Sequence, residues 1–160
     1  MRLLIAAVGK LKHGPERDLY AHYLGRAEAL GRSVSLSPLT SLEFPESKAS
    51  SAGVRSTAEA KVLLAKVPPT HKFICLDPVG KTQSSEAFAQ TLAKFRDNGT
   101  AGLAFLIGGA DGLGQDARDK ANLLLSLGPM VLPHGLARIV LAEQLYRAMT
   151  IIAGHPYHRG

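Results

Sequence analysis

Residues 103–114 read LAFLIGGADGLG, and this stretch decides the fold class. Five apolar residues, 103–107, run directly into a glycine-rich loop, and a helical pattern follows from about residue 116. A short apolar run without polar alternation is typical of a strand that is buried on both faces of a sheet. The succession of strand, glycine loop and helix therefore predicts an α/β domain with a mostly parallel sheet.

Other short apolar runs alternate with longer helical patterns on both sides of this stretch. We predict five strands, at residues 3–8, 34–39, 73–76, 103–107 and 130–132. We predict five helices, at residues 15–30, 54–66, 84–96, 116–125 and 136–152, with Pro15, Gly31 and Ser84 as boundary signals. Residues 41–56 are rich in Ser, Glu and Lys and predict a mobile loop. The pattern indicates a single domain over residues 1–160, with helices on both faces of the sheet.

The composition excludes several classes of protein. Hydrophobic residues make up 46% of the chain and charged residues 20%, which excludes wholesale disorder. The single cysteine, Cys75, cannot form an intramolecular disulfide or a cysteine-based zinc site, and its apolar neighbours indicate a small core residue. The net charge is +6, and residues 1–72 hold 11 Lys/Arg against 6 Asp/Glu. This basic half fits an anionic partner such as RNA or a phosphate-bearing ligand.

The N-terminal apolar run is too short for a signal peptide. It stops at Gly9 after six residues, and no small-residue cleavage site follows. No stretch approaches the roughly 20 apolar residues that a membrane span needs. We therefore expect a cytoplasmic protein with no membrane partner.

Two motifs resemble nucleotide-binding sequences, and both fail a closer comparison. Residues 80–82, GKT, resemble the end of a P-loop, but Cys75 stands where the first glycine is required. Residues 112–117, GLGQDA, resemble a dinucleotide fingerprint, yet residues 131–134 offer no carboxylate for a ribose. These differences disfavour an oxidoreductase or another nucleotide-using enzyme.

Three loops lie at the predicted carboxyl edge of the sheet, where open α/β sheets bind their ligands. They cover residues 76–82, 108–114 and 127–134. The pair Gly108-Gly109 permits either a close approach of a ligand to the backbone or a simple tight turn, and both interpretations stay open. Residues 127–130, LGPM, form an apolar segment suited to enclosing an adenine.

The last 27 residues concentrate side chains that exchange protons or bind anions. They are His134, His155 and His158, together with Arg138, Arg147, Tyr157 and Arg159. Three histidines without a carboxylate cluster are poor evidence for a metal, so we predict none. The tail after Gly154 is interpreted either as a disordered basic end or as a segment docked on the preceding apolar helix.

A set of motifs spread over the chain resembles one family. The motifs are FICLD at 73–77, GK at 80–81, SSE at 84–86, FLIGG at 105–109, LPH at 132–134, EQLYR at 143–147 and YHR at 157–159. Together they resemble the RlmH family, the pseudouridine methyltransferases of large-subunit ribosomal RNA in the SPOUT class. The resemblance extends from Met1 to the C-terminus.

This resemblance implies an α/β domain whose C-terminal part forms a deep trefoil knot. It implies S-adenosylmethionine as the cofactor, bound by the strand-end loops. The residues implied as its contacts are Leu76, Gly108, Leu127, Gly128, Pro129, Met130, Val131 and Leu132. It also implies a homodimer that methylates N3 of a pseudouridine in 23S ribosomal RNA, on assembled ribosomes.

The clustering of polar groups in the C-terminal segment suggests which side chains take part in the reaction. Five residues are candidates: His134, Arg138, Tyr157, His158 and Arg159. The pseudouridine N3 must lose its proton, so a base, or cationic donors near the flanking carbonyls, would help. Arg138 would contact a phosphate or a carbonyl, and the other four would orient the base and manage its charge. The competing hypothesis is a non-enzymatic α/β protein that binds RNA or the ribosome.

One small domain offers little surface for a folded RNA. Two copies would give the basic face of one subunit to the cofactor pocket of the other. An apolar stripe on the last predicted helix is a candidate dimer surface, and burial within one chain explains it equally well. Its residues are Ile139, Val140, Leu145, Met149 and Ile152.

Overall fold

Strands and helices alternate along residues 1–158, which are the residues that this computed structural model describes, the side chain of His158 excepted. The strands are β1 (Arg2–Val8), β2 (Leu39–Phe44), β3 (His71–Thr82), β4 (Gly102–Ile107) and β5 (Leu123–Ser126). The α-helices are α1 (Pro15–Gly31), α2 (Ala52–Lys66), α3 (Ser85–Asp97), α4 (Gln115–Asp119) and α5 (His134–Ile152). A short 3-10 helix, Pro156–His158, follows α5.

The sheet is parallel throughout, in the strand order β2-β1-β4-β3-β5. Alternate residues of β1 enter two different cores: Leu3 and Ile5 enter one, and Leu4 and Ala6 enter the other. Helices α1, α3 and α5 close the first core, while α2 and α4 close the second. A sheet covered on both faces explains its uninterrupted apolar strands. The α/β prediction with a parallel sheet and helices on both faces is confirmed.

The second strand begins later than predicted. Val34 and Leu36 are buried, but they belong to a turn in which the Leu36 amide donates to the Gly31 carbonyl at 2.8 Å. Their alternate spacing imitates a strand because both side chains pack into the core from that turn. Strand β2 instead starts at Leu39, pairs with β1, and includes residues 41–44 of the predicted mobile loop.

Gly31 is the last residue of α1, at the helix end where the boundary signal places it. It keeps helical geometry as the last residue of α1 and is buried. A β-carbon on Gly31 would lie 2.5 Å from the carbonyl oxygen of Leu36. The glycine is therefore required by the close approach of the following turn.

The segment after α4 is also different from the prediction. Helix α4 ends at Asp119, and the leucines predicted to close a longer helix form β5, which pairs with β3. Leucine favours helices intrinsically, but the hydrogen bonds offered by the edge of β3 decide the conformation here. The predicted strand at 130–132 is a loop, in which Met130 and Val131 are exposed.

Strand β3 runs further than predicted and bulges. Its pairing with β5 is regular up to Leu76, and then shifts register until Lys81. Residues 77–80 therefore leave the ladder at the carboxyl edge of the sheet. Such bulges re-aim side chains, and this one faces the loops described below.

Most of the apolar stripe of helix α5 is buried within the chain. Ile139, Leu145 and Met149 are buried in the first core, whereas Val140 is exposed. Burial in the core thus accounts for most of the stripe.

The trefoil knot stays a prediction. Within residues 1–158, no helix combines the length and the apolar character that crossing a membrane requires.

Cys75 is expected to be chemically inert in the folded chain. It lies in β3 without solvent exposure, its thiol contacts the Ala117 carbonyl at 3.4 Å, and burial raises its pKa from 9.0 to about 12. Its contribution to stability is therefore complete below about pH 9 and is lost as the pH rises toward 12. Thiol reagents at pH 8 should leave the native protein unmodified and label it once urea has unfolded it. Rapid labelling of the native chain would contradict the core assignment.

Candidate active site

Three loops meet at the carboxyl edge of the sheet and enclose a cavity of about 780 Å3. They are the bulge of β3 at residues 77–80, the glycine-rich loop 108–114 after β4, and the segment 127–133 between β5 and α5. Because β4 and β5 flank β3 in the sheet, the ends of these strands bring the loops together. The structure thus unites the three loops selected from the sequence.

The cavity wall contains seven of the eight residues that the resemblance implies as cofactor contacts. They are Leu76, Gly108, Leu127, Gly128, Met130, Val131 and Leu132. Pro129 does not line the cavity. Met130 and Val131 are 80% and 81% exposed, and exposed apolar side chains beside a cavity are typical of a binding surface.

Gly108 is held against the opposite side of its own loop. A β-carbon on Gly108 would lie 2.5 Å from the carbonyl oxygen of Gly112 and 2.7 Å from the amide nitrogen of Leu113. The Gly112 amide donates to the Gly109 carbonyl at 3.0 Å, and Gly112 has a φ of 77°. The loop is therefore a tight turn that also lines the cavity, and the approach of a ligand to its backbone stays a prediction.

An ion pair ties this glycine loop to Arg55 in α2, which also contacts the segment before that helix. The Arg55 guanidinium donates twice to the Asp111 carboxylate, at 2.7 and 3.1 Å, and also donates to the Ala49 carbonyl at 3.0 Å. Hydrogen bonds from Arg55 hold the pKa of Asp111 below its usual value. The pair is therefore charged at neutral pH, and its contribution is lost only as the pH falls through that lowered value.

Asp111→Asn should loosen the glycine loop without unfolding the protein. The pair with Arg55 is partly exposed to solvent, so the effect on local opening should be modest, about two- to fivefold. Hydrogen exchange of the amides of residues 109–113 should accelerate by that factor. Asp97→Asn breaks a comparable surface pair with Arg96 and serves as the control, which should leave exchange in this loop unchanged. Equal exchange rates in the two variants would contradict the role of Asp111.

A buried carboxylate, Asp77, stands in the cavity wall where β3 bulges. Its side chain is 5% exposed, accepts a hydrogen bond from the Val79 amide at 3.0 Å, and pairs with Arg118 of α4 at 3.0 Å. A charge is tolerated at this depth because both partners compensate it. The sequence carries one signal for this pair, the position of Asp77 directly after a buried apolar run.

His134 begins α5 and stands between two cavities. It lines the main cavity and also a second one of about 570 Å3, whose other walls are residues 10–16. Its imidazole packs against Gly9, where a β-carbon would lie 2.8 Å from the ring carbon Cε1. Its Nε2 atom is 3.7 Å from a carboxylate oxygen of Glu46.

Arg138, one helical turn further along α5, is completely buried. Its guanidinium donates to Glu43 at 2.7 Å, to the carbonyls of Val8 and Gly9 at 2.6 Å each, and to Nδ1 of His134 at 3.2 Å. Burial lowers the pKa of Arg138, and the Glu43 carboxylate opposes that shift. The expected contact of Arg138 with a phosphate or a substrate carbonyl does not fit this placement, because protein atoms surround the side chain.

The tail is docked on α5 as far as Tyr157. The Tyr157 hydroxyl donates to Glu143 at 3.3 Å, its ring packs edge-on against Tyr146, and the Arg26 guanidinium lies 5.0 Å from the ring centre. Burial raises the pKa of Tyr157 to about 12, so the phenol is protonated at neutral pH. The side chain of His158 and all of Arg159 lie outside the described residues.

Within one chain, the candidate catalytic groups whose side chains the structure describes do not form one cluster. His134 is the first residue of α5, whereas Tyr157 packs against the middle of that helix, where its hydroxyl donates to Glu143, about 14 Å along the axis at 1.5 Å per residue. His134 faces the cavity, whereas Tyr157 faces α1 and the C-terminal half of α5. Over residues 1–158, no group of three or more His, Cys, Asp or Glu side chains is arranged to hold a metal ion.

Comparisons with known proteins agree over almost the whole chain. The family described as predicted SPOUT methyltransferase matches residues 1–158. A protein of Xanthobacter autotrophicus named ribosomal RNA large subunit methyltransferase H is 51% identical over 159 residues, which cover 99% of each chain. A protein of the same name from a Methylobacterium species is 48% identical and covers 100% of this chain and 99% of its own.

A solved structure shows a more distant likeness. It is the SpoU methyltransferase AviRb from Streptomyces viridochromogenes in complex with AdoMet, with 17% identity and a TM-score of 0.41. The match covers 97% of this chain and 58% of that one. The family match over residues 1–158 and the full-length relatives decide the assignment: the chain belongs to the SPOUT methyltransferase family, among the RlmH proteins.

Proposed function

We propose that this chain is an S-adenosylmethionine-dependent methyltransferase of large-subunit (23S) ribosomal RNA. We further propose that it methylates N3 of a pseudouridine on assembled ribosomes, in the cytoplasm. One observation carries the proposal: three loops meet around one cavity, and seven residues that the resemblance implies as cofactor contacts line it. Full-length identity to proteins named ribosomal RNA large subunit methyltransferase H supports the substrate.

The cavity has the size and the chemistry that the proposed cofactor needs. Its volume of about 780 Å3 falls within the range of small-molecule sites, about 300–1,000 Å3. Leu76, Leu127 and Leu132 offer apolar contacts for an adenine. The pair Asp77–Arg118 offers opposite charges to the ammonium and the carboxylate of the methionine end.

When bound, S-adenosylmethionine supplies a methyl group that the sulfonium already activates. The task of the chain is to align the attacking nitrogen with that methyl and to exclude water. Met130 and Val131, exposed beside the cavity, would cover the site once the RNA base has entered. His134 would meet the carbonyl oxygens that flank N3, because it lies at the edge of the cavity.

The tail residues would act on the cavity of a second copy. Tyr157, His158 and Arg159 orient the target base and manage its charge in this proposal. The Tyr157 side chain lies beside Glu143, about 14 Å along α5 from His134 at the cavity of its own chain. A homodimer in which the tail of one subunit reaches the cavity of the other removes this separation, and closed two-fold pairing is the commonest form of assembly.

A basic loop would bind the RNA backbone next to the cavity. Lys10, Lys12 and His13 are exposed on the loop that lines the second cavity, and that cavity shares His134 with the first. Phosphates held by this loop would place the RNA base close to His134. Such contacts release counterions, so they make binding depend on salt.

Replacing Lys10 and Lys12 together by Gln should weaken ribosome binding in a salt-dependent way. Log affinity decreases with log salt, and the magnitude of this slope should be smaller by about 1–2 in the variant. Each phosphate contact contributes about 0.7–0.9 to that magnitude. The matched control replaces Lys66 and Lys94, near the C-terminal ends of α2 and α3 and at the other edge of the sheet. Equal slopes for the two double variants would contradict the proposed RNA surface.

Calorimetric titration with S-adenosylmethionine separates this proposal from a non-enzymatic RNA-binding protein. The proposal expects saturable binding that S-adenosylhomocysteine competes away. Ribosome binding without any uptake of the cofactor would favour the non-enzymatic alternative and would overturn the proposed activity.

A further inference from the structure

We infer that Arg138 and Glu43 are positioning residues that hold His134 as a hydrogen-bond donor toward the substrate base, with its proton on Nε2. The inference rests on the proposed function for the nature of the substrate. It assigns Arg138 a role without substrate contact and excludes His134 as the acceptor of the N3 proton. Its basis is the arrangement of hydrogen bonds around one buried guanidinium.

The Arg138 guanidinium can only donate. Arginine carries five N–H groups and no acceptor, and it stays protonated in proteins. Its Nη2 atom lies 3.2 Å from Nδ1 of His134, and its two N–H groups also donate to the carbonyls of Val8 and Gly9, so Nδ1 shares one of these hydrogens as a further acceptor. In the other tautomer an N–H of the imidazole would face an N–H of the guanidinium. The neutral ring therefore carries its proton on Nε2.

The guanidinium is fixed by groups that do not belong to α5. Glu43, in β2, accepts from Nη1 of Arg138 at 2.7 Å and also from the Leu11 amide at 3.1 Å. The carbonyls of Val8 and Gly9, at the end of β1, accept from Nη2 at 2.6 Å. Because two strands and the following loop supply these acceptors, the guanidinium has no freedom to follow a movement of the imidazole.

Gly9 completes the support of the ring. It adopts a φ of 87°, a conformation that glycine tolerates and other residues rarely adopt. The missing side chain leaves room for the imidazole, since a β-carbon would lie 2.8 Å from Cε1 and 3.2 Å from Nε2 of His134. The ring is thus packed on one face and hydrogen-bonded at Nδ1, and Nε2 is left for a ligand.

The free donor faces the place where substrate and cofactor would meet. His134 lines both the main cavity and the cavity of the basic loop. Of the neighbouring charged groups, Glu46 lies 3.7 Å from Nε2, beyond hydrogen-bond distance, and Arg138 is held at Nδ1. A carbonyl oxygen beside N3 gains negative charge when the N3 proton passes to solvent water. A preorganised donor stabilises that charge, which is the role we assign to Nε2–H.

The first test measures the tautomer directly. The full chain is labelled with 15N-histidine, and long-range 1H–15N correlation spectra are recorded at pH 8, with His134→Gln identifying the signals. We expect an unprotonated nitrogen at Nδ1 and a protonated one at Nε2 of His134. The opposite tautomer, or an averaged mixture, would overturn the inference. This measurement needs no substrate, so its outcome is independent of the proposed activity.

The second test examines the positioning residues by the same spectra. Arg138→Lys and Glu43→Gln should convert the single tautomer into a mixture, since each loosens the guanidinium network. Arg96→Lys is the matched control, because Arg96 also donates to a backbone carbonyl and pairs with a carboxylate, but on α3. An unchanged His134 tautomer in both folded variants would overturn the role of Arg138 and Glu43.

The third test asks whether His134 donates or accepts during methyl transfer. Gln places an N–H group near the position of Nε2 but takes up no proton, whereas Leu offers neither. If His134 donates, His134→Leu should lower kcat by about 100-fold, and His134→Gln should retain about tenfold more activity than Leu. Equal loss in both variants would contradict the donor role. Absence of activity in the unsubstituted chain would instead refute the proposed function.

Discussion

A chain that ends at Gly154 should transfer no methyl group to ribosomes and should still bind S-adenosylmethionine. The residues that line the cavity lie between Leu76 and Ala137, so removal of residues 155–160 leaves the cavity wall intact. The loss of methyl transfer should exceed about 100-fold, the size expected when charged and hydrogen-bonding groups leave the reacting base. Cofactor affinity, measured by calorimetry, should stay within about twofold, since none of the described residues that line the cavity is removed.

The first control tests whether the side chains of the tail, and not its length, account for the loss of methyl transfer. The second control tests the dimer. A chain in which residues 155–160 are replaced by Gly and Ser should be as inactive as the truncated one. A mixed dimer of the truncated chain and a full-length chain with a disrupted cavity should regain activity, because each supplies the part that the other lacks. Full turnover by the truncated chain would contradict the role of the tail.

Gly108→Ala should abolish cofactor binding, with a loss of affinity of more than about 100-fold. The new β-carbon would lie within 2.7 Å of backbone atoms of Gly112 and Leu113, and backbone cannot rotate away as a side chain does. The backbone of the glycine loop must therefore move outward by a large fraction of an ångström. A displacement of this size weakens cofactor binding, because the site depends on close contacts. Calorimetric titration with S-adenosylmethionine measures the loss.

Gly25→Ala is the matched control for this substitution. Gly25 lies inside α1, and a β-carbon there meets no atom within 4 Å. Alanine at this position should stabilise the protein by about 0.5–1 kcal/mol and leave cofactor affinity unchanged. Equal affinity in Gly108→Ala and in the unsubstituted chain would show that the glycine loop does not form the cofactor site.

Much of the fold is predictable because local signals agree with the tertiary structure. Helix α3 begins where its Ser84 cap predicts, with the serine hydroxyl accepting from the Ala87 amide at 3.2 Å. It is followed by Gly99, which has the positive φ of 74° expected after a helix end. Strands β1 and β4 are buried on both faces, so continuous apolar runs identify them.

The secondary-structure prediction is wrong for the elements in which tertiary contacts override the local sequence pattern. Val34 and Leu36 have the spacing of a strand but form a turn that closes on Gly31. Leu123–Ser126 has the composition of a helix but completes the edge of the sheet beside β3. In both cases the deciding interaction connects residues that the sequence pattern does not relate.

The loops of the candidate site are predictable from the sequence, but its buried charged side chains are not. Parallel sheets place their binding loops at the carboxyl edge, and this rule points to the loops after β3 and β4. The segment 127–133 also lies at this edge, but it follows β5, which the sequence pattern predicts as the end of a helix. The burial of Arg138 has one visible signal: Arg138, Leu141 and Leu145 recur at helical spacing on the apolar face of α5. Its partner Glu43 is 95 residues away, and no spacing rule connects the two.

Methyl transfer with nucleoside analysis tests the central claim most directly. The chain is incubated with labelled S-adenosylmethionine and, in parallel, with ribosomes, free 23S RNA and transfer RNA. The RNA is then digested and its nucleosides are identified by mass spectrometry. The account predicts label in the 23S RNA of intact ribosomes, recovered as N3-methylpseudouridine and absent when the Gly108→Ala chain is used. Intact cofactor binding with no label in large-subunit RNA would contradict it.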